Sequence, residues 1–231
     1  MSLDENTSVT EELKAKATDK ATKIFSATIG TTFFAYSMIG FIADDTMSVN
    51  LDQLAASVLA SRPATSNLDG VIWEFCSQAR GAVAAAQRTG TLFSTRPECA
   101  MPDGSYAITQ IHFVGYCHGR PFWEVATISH RGPADIQFSR TASHTRDYAS
   151  GSSVVPNLAR NGDERFAKYA PDLSLASTSL DNAARFAEAY IRLCSEPLAA
   201  DVDPNCKMIG GDPQIAEVTP AGFRWRIPPK H

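Results

Sequence analysis

Apolar, β-branched and aromatic residues crowd two runs, 108–116 and 122–128, with His118-Gly119-Arg120-Pro121 between them. That pattern predicts an antiparallel ribbon inside a three-strand stretch over residues 107–138. Both faces of its first strand carry apolar groups, Ile108, Val114 and Tyr116 on one and Ile111, Phe113 and Cys117 on the other. A strand apolar on both faces needs cover on both sides, and helices are the available cover.

The rest of the chain alternates strands with helices. Residues 1–20 are polar. Two short strands follow, 23–29 and 31–40, with Gly30 between them and Gly40 at the end. Leu51, Leu54, Ala55, Val58 and Leu59 fall at helical spacing behind a Ser48 or Asn50 cap, predicting a helix over 48–61. After the break from Arg62 to Asn67, a second helix runs over 68–89, with Val71, Ile72, Phe75, Ala79, Val83 and Ala86 along one face. Pro97, Pro102 and Gly104 make 91–106 a loop, and 139–147 reads as a polar turn or short strand. Ser150-Gly151-Ser152-Ser153 opens a helix over 154–168 that tolerates Pro156 in its first turn. The strongest helical pattern spans 179–195, capped by Ser179 and stopped by Pro197. Strands are expected at 206–209, 214–218 and 223–227, the last two joined by a Thr-Pro-Ala-Gly hairpin turn. With no linker and no internal repeat, one domain over 1–231 is the expectation.

Composition narrows the function classes. A net charge of −4 gives no electrostatic reason to expect nucleic acid or an anionic membrane as partner. No run approaches the roughly 18 apolar residues of a membrane span, and the N-terminus lacks the basic flank and apolar core of a signal peptide, so a cytoplasmic location is expected. Five cysteines, scattered and never spaced as CxxC, point to reduced thiols rather than to a disulfide framework or a zinc site. His112, His118, His130 and His144 are not spaced as metal ligands, and no GxSxG accompanies them. No cofactor or metal is implied.

Several segments, taken in order, carry a resemblance. They are Lys23-Ile24-Phe25, then Gly40-Phe41-Ile42-Ala43-Asp44, the ribbon HFVGYCHGRPFWEVATISHRG, the turn ASGSS at 149–153, the long helix after Ser179, Ile209-Gly210-Gly211, and the hairpin IAEVTPAGFRW. Together they resemble a proteasome β-type subunit of the N-terminal nucleophile hydrolase superfamily, over roughly residues 10–227. The resemblance implies an α+β fold, a four-layer αββα sandwich of two antiparallel sheets between helical layers. It makes 1–20 a polar remnant of the first hairpin, with Asn6 where the family keeps an aspartate. The family's nucleophile strand has no counterpart here.

By the same resemblance the catalytic candidates are Lys23, Gly40 and Ser153. An ammonium at Lys23 would lower a nucleophile's pKa, the Gly40 N–H would serve an oxyanion hole, and Ser153 or Ser152 would help move protons; the structural alternatives are a surface lysine flanking a strand, a turn glycine, and a helix cap or serine turn. Ile209 replaces a family serine, and Asp203 is the aspartate nearest the segment before it. Ser2, freed by loss of Met1, is a further nucleophile candidate, in a setting too polar for a buried central strand. The implied activity is that of a threonine-type peptidase or amidohydrolase acting on a peptide or small amide. The alternative is a catalytically silent assembly or binding subunit, a pseudoenzyme. Both expect a homo-oligomer. A small-molecule-binding α+β module is the remaining class.

Overall fold

The computed structural model describes residues 24–29, 32–39, 54, 57–58, 67–88, 95, 99–132, 134–142, 152–174, 179–209 and 212–229. The structure is α+β with antiparallel sheets. It divides into two compact units, one holding residues 23–146 with 216–226 and the other holding 147–215.

The first unit is built on a five-stranded antiparallel sheet in sequential order: β1 (Ile24–Ile29), β2 (Thr32–Ile39), β3 (Tyr106–Cys117), β4 (Arg120–His130) and β5 (Ile136–Ala142). Five consecutive strands can pair in this way because every connection is short or returns antiparallel. The β3–β4 turn is a two-residue hairpin. Cys117 pairs with Arg120, which leaves His118 (φ 50°) and Gly119 (φ 75°) as the two loop residues. Two successive positive φ values match the right-handed twist of the strands, as in a type I′ hairpin.

Helix α1 (Leu68–Arg88) covers one face of this sheet. It starts where Asn67 lends its side-chain oxygen to the Asp69 N–H at 3.1 Å, an N-cap read in the sequence only as a break. Val71, Ile72, Phe75, Cys76, Ala79 and Val83 are buried against Ile111, Phe113, Ala126, Ile128 and Ile136, with Phe75 set edge-on to Phe113. Leu54 and Val58, both helical, join the same core; apart from Ser57, the rest of the helix expected over 48–61 lies outside the described residues. Each large side chain so buried contributes roughly 1.5–3 kcal/mol.

Ile108 departs from the strict alternation of the sequence reading. A register shift between Ala107 and Thr109 brings it into the helix-side core instead of leaving it beside Val114. On the opposite face, Val114 pairs with Trp123 and His112 with Val125. His112 is buried while Val114 is 44% exposed, so that face is covered unevenly. β5 runs on to Ala142, through residues expected to form a polar turn or short strand. Its outward Gln137, Ser139 and Thr141 suit the strand at the end of the sheet order.

A charged clamp ties α1 to the sheet. Arg140 donates through Nε to Glu124, through Nη2 to Glu124 Oε2 at 3.0 Å, and through Nη2 to Asp69 Oδ1 at 2.7 Å. The expected terminal hairpin is present as β6 (Ile215–Thr219) and β7 (Gly222–Ile227), a separate two-stranded sheet. Its turn is held by the Thr219 hydroxyl, which accepts the Ala221 N–H at 3.2 Å.

The second unit is helical. It contains α2 (Val154–Arg160), α3 (Ala170–Leu173), α4 (Leu180–Cys194) and α5 (Pro197–Val202), with 3₁₀ turns at Ala167–Tyr169 and Pro204–Met208. α2 is shorter than the helix expected over 154–168. Gly162 (φ 86°) donates to the Ala159 carbonyl and Asp163 to that of Leu158, and this paired closure ends the helix. α4 matches its expectation, with Ser179 Oγ accepting the Asn182 N–H. Pro197 stops it and also begins α5. The strand expected at 206–209 is instead largely a 3₁₀ turn, because Pro204 opens it and the Asp203 side chain accepts the Asn205 N–H.

Two measurements test this frame. His118→Asn should raise stability by a few tenths to about 1 kcal/mol and Gly119→Ala should lower it by about 1–2 kcal/mol, at unchanged urea m-value; no clash contributes at Gly119, where an added Cβ meets only open space. Burial lowers the His112 pKa from 6.5 to about 4. The fold therefore favours neutral imidazole, and its contribution is complete above pH 6.5 and lost as pH falls toward 4. Unfolding free energies from urea titrations at pH 7 and pH 5 should differ by roughly 2 kcal/mol, and by visibly less in His112→Gln.

Candidate functional site

Of Lys23, Gly40 and Ser153, only Ser153 lies among the described residues, in the serine turn before α2. Ser153 sits in a helical conformation, is exposed, and makes no side-chain cap bond. Ser152 does the capping. Its Oγ is buried and accepts the Val155 N–H at 3.2 Å, a local side-chain-to-backbone bond of the kind serine forms at helix starts. Lys23 and Gly40 lie outside the described residues, as do Ser2, Asn6, Gly210 and Gly211.

The turn is pinned from α4. Tyr190 donates its hydroxyl to the Ser152 carbonyl at 3.0 Å, 38 residues away in sequence. Tyr190 faces inward because it belongs to the buried side of α4 with Ala189, Leu193 and Cys194. Around it stand Cys194, Cys206 and Asp203, all buried, so the tyrosine brings the Ser152 turn and Asp203 into one neighbourhood. Asp203 Oδ1 accepts the Asn205 N–H at 3.0 Å, while its buried Oδ2 reaches no hydrogen-bond partner among the described residues.

Two members of this cluster, Cys194 and Tyr190, are held in their neutral forms. Burial, reinforced by the neighbouring Cys206 and Asp203, pushes the Cys194 thiol up to about 12. Burial, with Cys194, Cys206 and Asp203 adding to it, also raises the Tyr190 hydroxyl well above its usual range. Desolvation opposes the charged form of each, so neither is a base or nucleophile at neutral pH. Among the described residues no group of three or more His, Cys, Asp or Glu side chains is arranged to hold a metal ion.

A separate open groove of about 270 Å³ is lined by Tyr169, Arg192, Ser195, Glu196, Asp212 and Pro213. Its polar centre is Glu196, whose Oε1 accepts both Lys168 Nζ and the Tyr169 hydroxyl at 2.6 Å. Those two donors, Lys168 first, hold the Glu196 carboxyl below its ordinary pKa.

Tyr190, Cys194 and Cys206 were not identified as a polar group from sequence. The spacing of Tyr190 and Cys194 at i and i+4 registered only as an apolar helix face, and the contribution of Cys206 depends on α5 turning the chain back. No protein-family model, curated protein or solved structure matches this chain.

Tyr190→Phe keeps the ring and removes one donor from a buried carbonyl. It should lower unfolding stability by about 1–2 kcal/mol, read from the urea midpoint, whereas Ser153→Ala should change it by less than about 0.5 kcal/mol.

Proposed function

We propose that this protein is a catalytically silent assembly or binding subunit of proteasome-type N-terminal nucleophile hydrolase lineage, acting as a homo-oligomer. The observation that carries the reading is the commitment of Ser152. Its hydroxyl serves the Val155 N–H and its carbonyl holds Tyr190, so the turn that resembles the family's Gly-Ser-Gly segment works as a structural anchor. Tyr190, which holds the turn, and Cys194 beside it are both tuned away from neutral pH, the reverse of what acid–base catalysis requires. With the lineage goes its finer fold, the four-layer αββα sandwich. The order of elements supports that fold: paired strands, α1, three further strands, a helical segment and a closing hairpin.

A second reading, a threonine-type peptidase or amidohydrolase cleaving a peptide or small amide, is favoured by Asp203. A buried carboxylate oxygen with no hydrogen-bond partner among the described residues is suited to orient a catalytic amine or hydroxyl.

One preparation tests both. The silent-subunit reading expects an oligomer by light scattering at micromolar concentration and no turnover of a panel of fluorogenic peptide amides. A monomer at that concentration would sink the assembly role. Turnover that is lost in Lys23→Ala and Asp203→Asn would replace it with the hydrolase.

A further inference from the structure

Two of the five cysteines are brought together in the helical unit. Cys194 is the last residue of α4, and Cys206 lies in the 3₁₀ turn at Pro204–Met208. α5 turns the chain between them, and both side chains enter the same core with Val155, Leu173, Tyr190 and Leu193. The two thiols are near enough that Cys206 opposes ionisation of Cys194. Cys194 is 1% and Cys206 2% exposed, and both are free thiols in the structure.

We propose that Cys194 and Cys206 are a disulfide-forming pair, oxidised by a low-molecular-weight disulfide while the segment from α4 to the 3₁₀ turn is open, and sealed in the core once it closes. The chemistry is two exchanges. One cysteine thiolate attacks a sulfur of the oxidant disulfide, forming a mixed disulfide and releasing one small thiolate. The second cysteine thiolate then attacks the protein sulfur of the mixed disulfide and releases the other. Two cysteine thiols are oxidised, one small disulfide is reduced to two thiols, and the two protons go to the released thiolates.

The closed state explains why the pair would be stable in either form. Burial and the Asp203 carboxylate oppose thiolate formation at Cys194, so the folded dithiol is slow to react and a disulfide formed during folding is shielded from reductant. Cys76, the other deeply buried thiol, stands in the core of the other unit among α1 side chains, and burial likewise pushes its thiol up to about 12.

The test is refolding of the reduced, denatured full chain in a glutathione redox buffer or in excess dithiothreitol, followed by intact mass and peptide mapping. The expected product from glutathione has lost two hydrogens and yields one cross-linked peptide joining Cys194 to Cys206. Its thermal midpoint should lie roughly 6–12 °C above that of the reduced protein, as closing a loop of this length implies. Adding dithiothreitol to the folded, oxidised protein should reverse the bond only slowly. A linkage to Cys76, Cys99 or Cys117 instead, glutathione retained separately on Cys194 and Cys206, or two free thiols at those positions would each overturn the proposal. Mapping uses the native sequence, so it does not depend on a cysteine variant folding. Cys206→Ala, where it folds, should retain glutathione on Cys194.

Discussion

The close approach of α1 to the sheet is the constraint on which the first unit depends. Cys76, Ala79 and Val83 are small and completely buried, and a larger side chain at any of them would lift the helix off Ile111, Ala126 and Ile128. Apolar burial has no direction of its own, so something else must fix where along the sheet the helix sits. Arg140 supplies that: it binds Glu124, its diagonal neighbour on β4, and Asp69 in the first turn of α1. Glu124 and Arg140 have side chains only 17% exposed, which makes the pair dependent on good geometry and costly to break from one side.

The helical unit reaches order by another route. Its apolar cluster encloses polar atoms, and those atoms choose partners that fix particular segments. Tyr190 selects the carbonyl that precedes α2, Ser152 starts that helix, and Asp203 starts the 3₁₀ turn carrying Cys206. At the surface, Lys168 and Tyr169 converge on Glu196 just before α5. Apart from Asp203 Oδ2, these polar atoms are thus occupied in defining the ends of short helices.

Much of this was legible in the sequence because the signals were local. The 3.6-residue spacing of Val71, Ile72, Phe75, Ala79 and Val83 marked α1, the Ser179 cap and Pro197 bounded α4, and His118-Gly119 marked the β3–β4 turn. What was not legible depends on neighbours distant in sequence. The bulge that redirects Ile108 arises from pairing with β4, and no periodicity within β3 signals it. The 3₁₀ turn at Pro204–Met208 contains residues compatible with a strand, and the Asp203 cap decides against one. Asn161-Gly162 was a helix stop written openly in the sequence, overshadowed by the apolar residues beyond it. Of the candidate site, the serine turn and its capping role were legible, because the Ser152 cap is local; the hold of Tyr190 on the turn, 38 residues downstream, was not.

The terminal hairpin carries a safeguard of its own. Glu217, with a side chain 4% exposed, is gripped by Arg224 Nε at 2.5 Å and by Arg226 Nε, two residues apart on β7 and hence on one face. The two guanidinium groups hold its carboxyl below the usual range against the opposing effect of burial. Were β7 to slide by a single position against β6, both arginines would turn to the other face and the carboxylate would stay behind, enclosed and without a counter-ion. The hairpin thus recognises its own correct alignment by charge as well as by its apolar side chains.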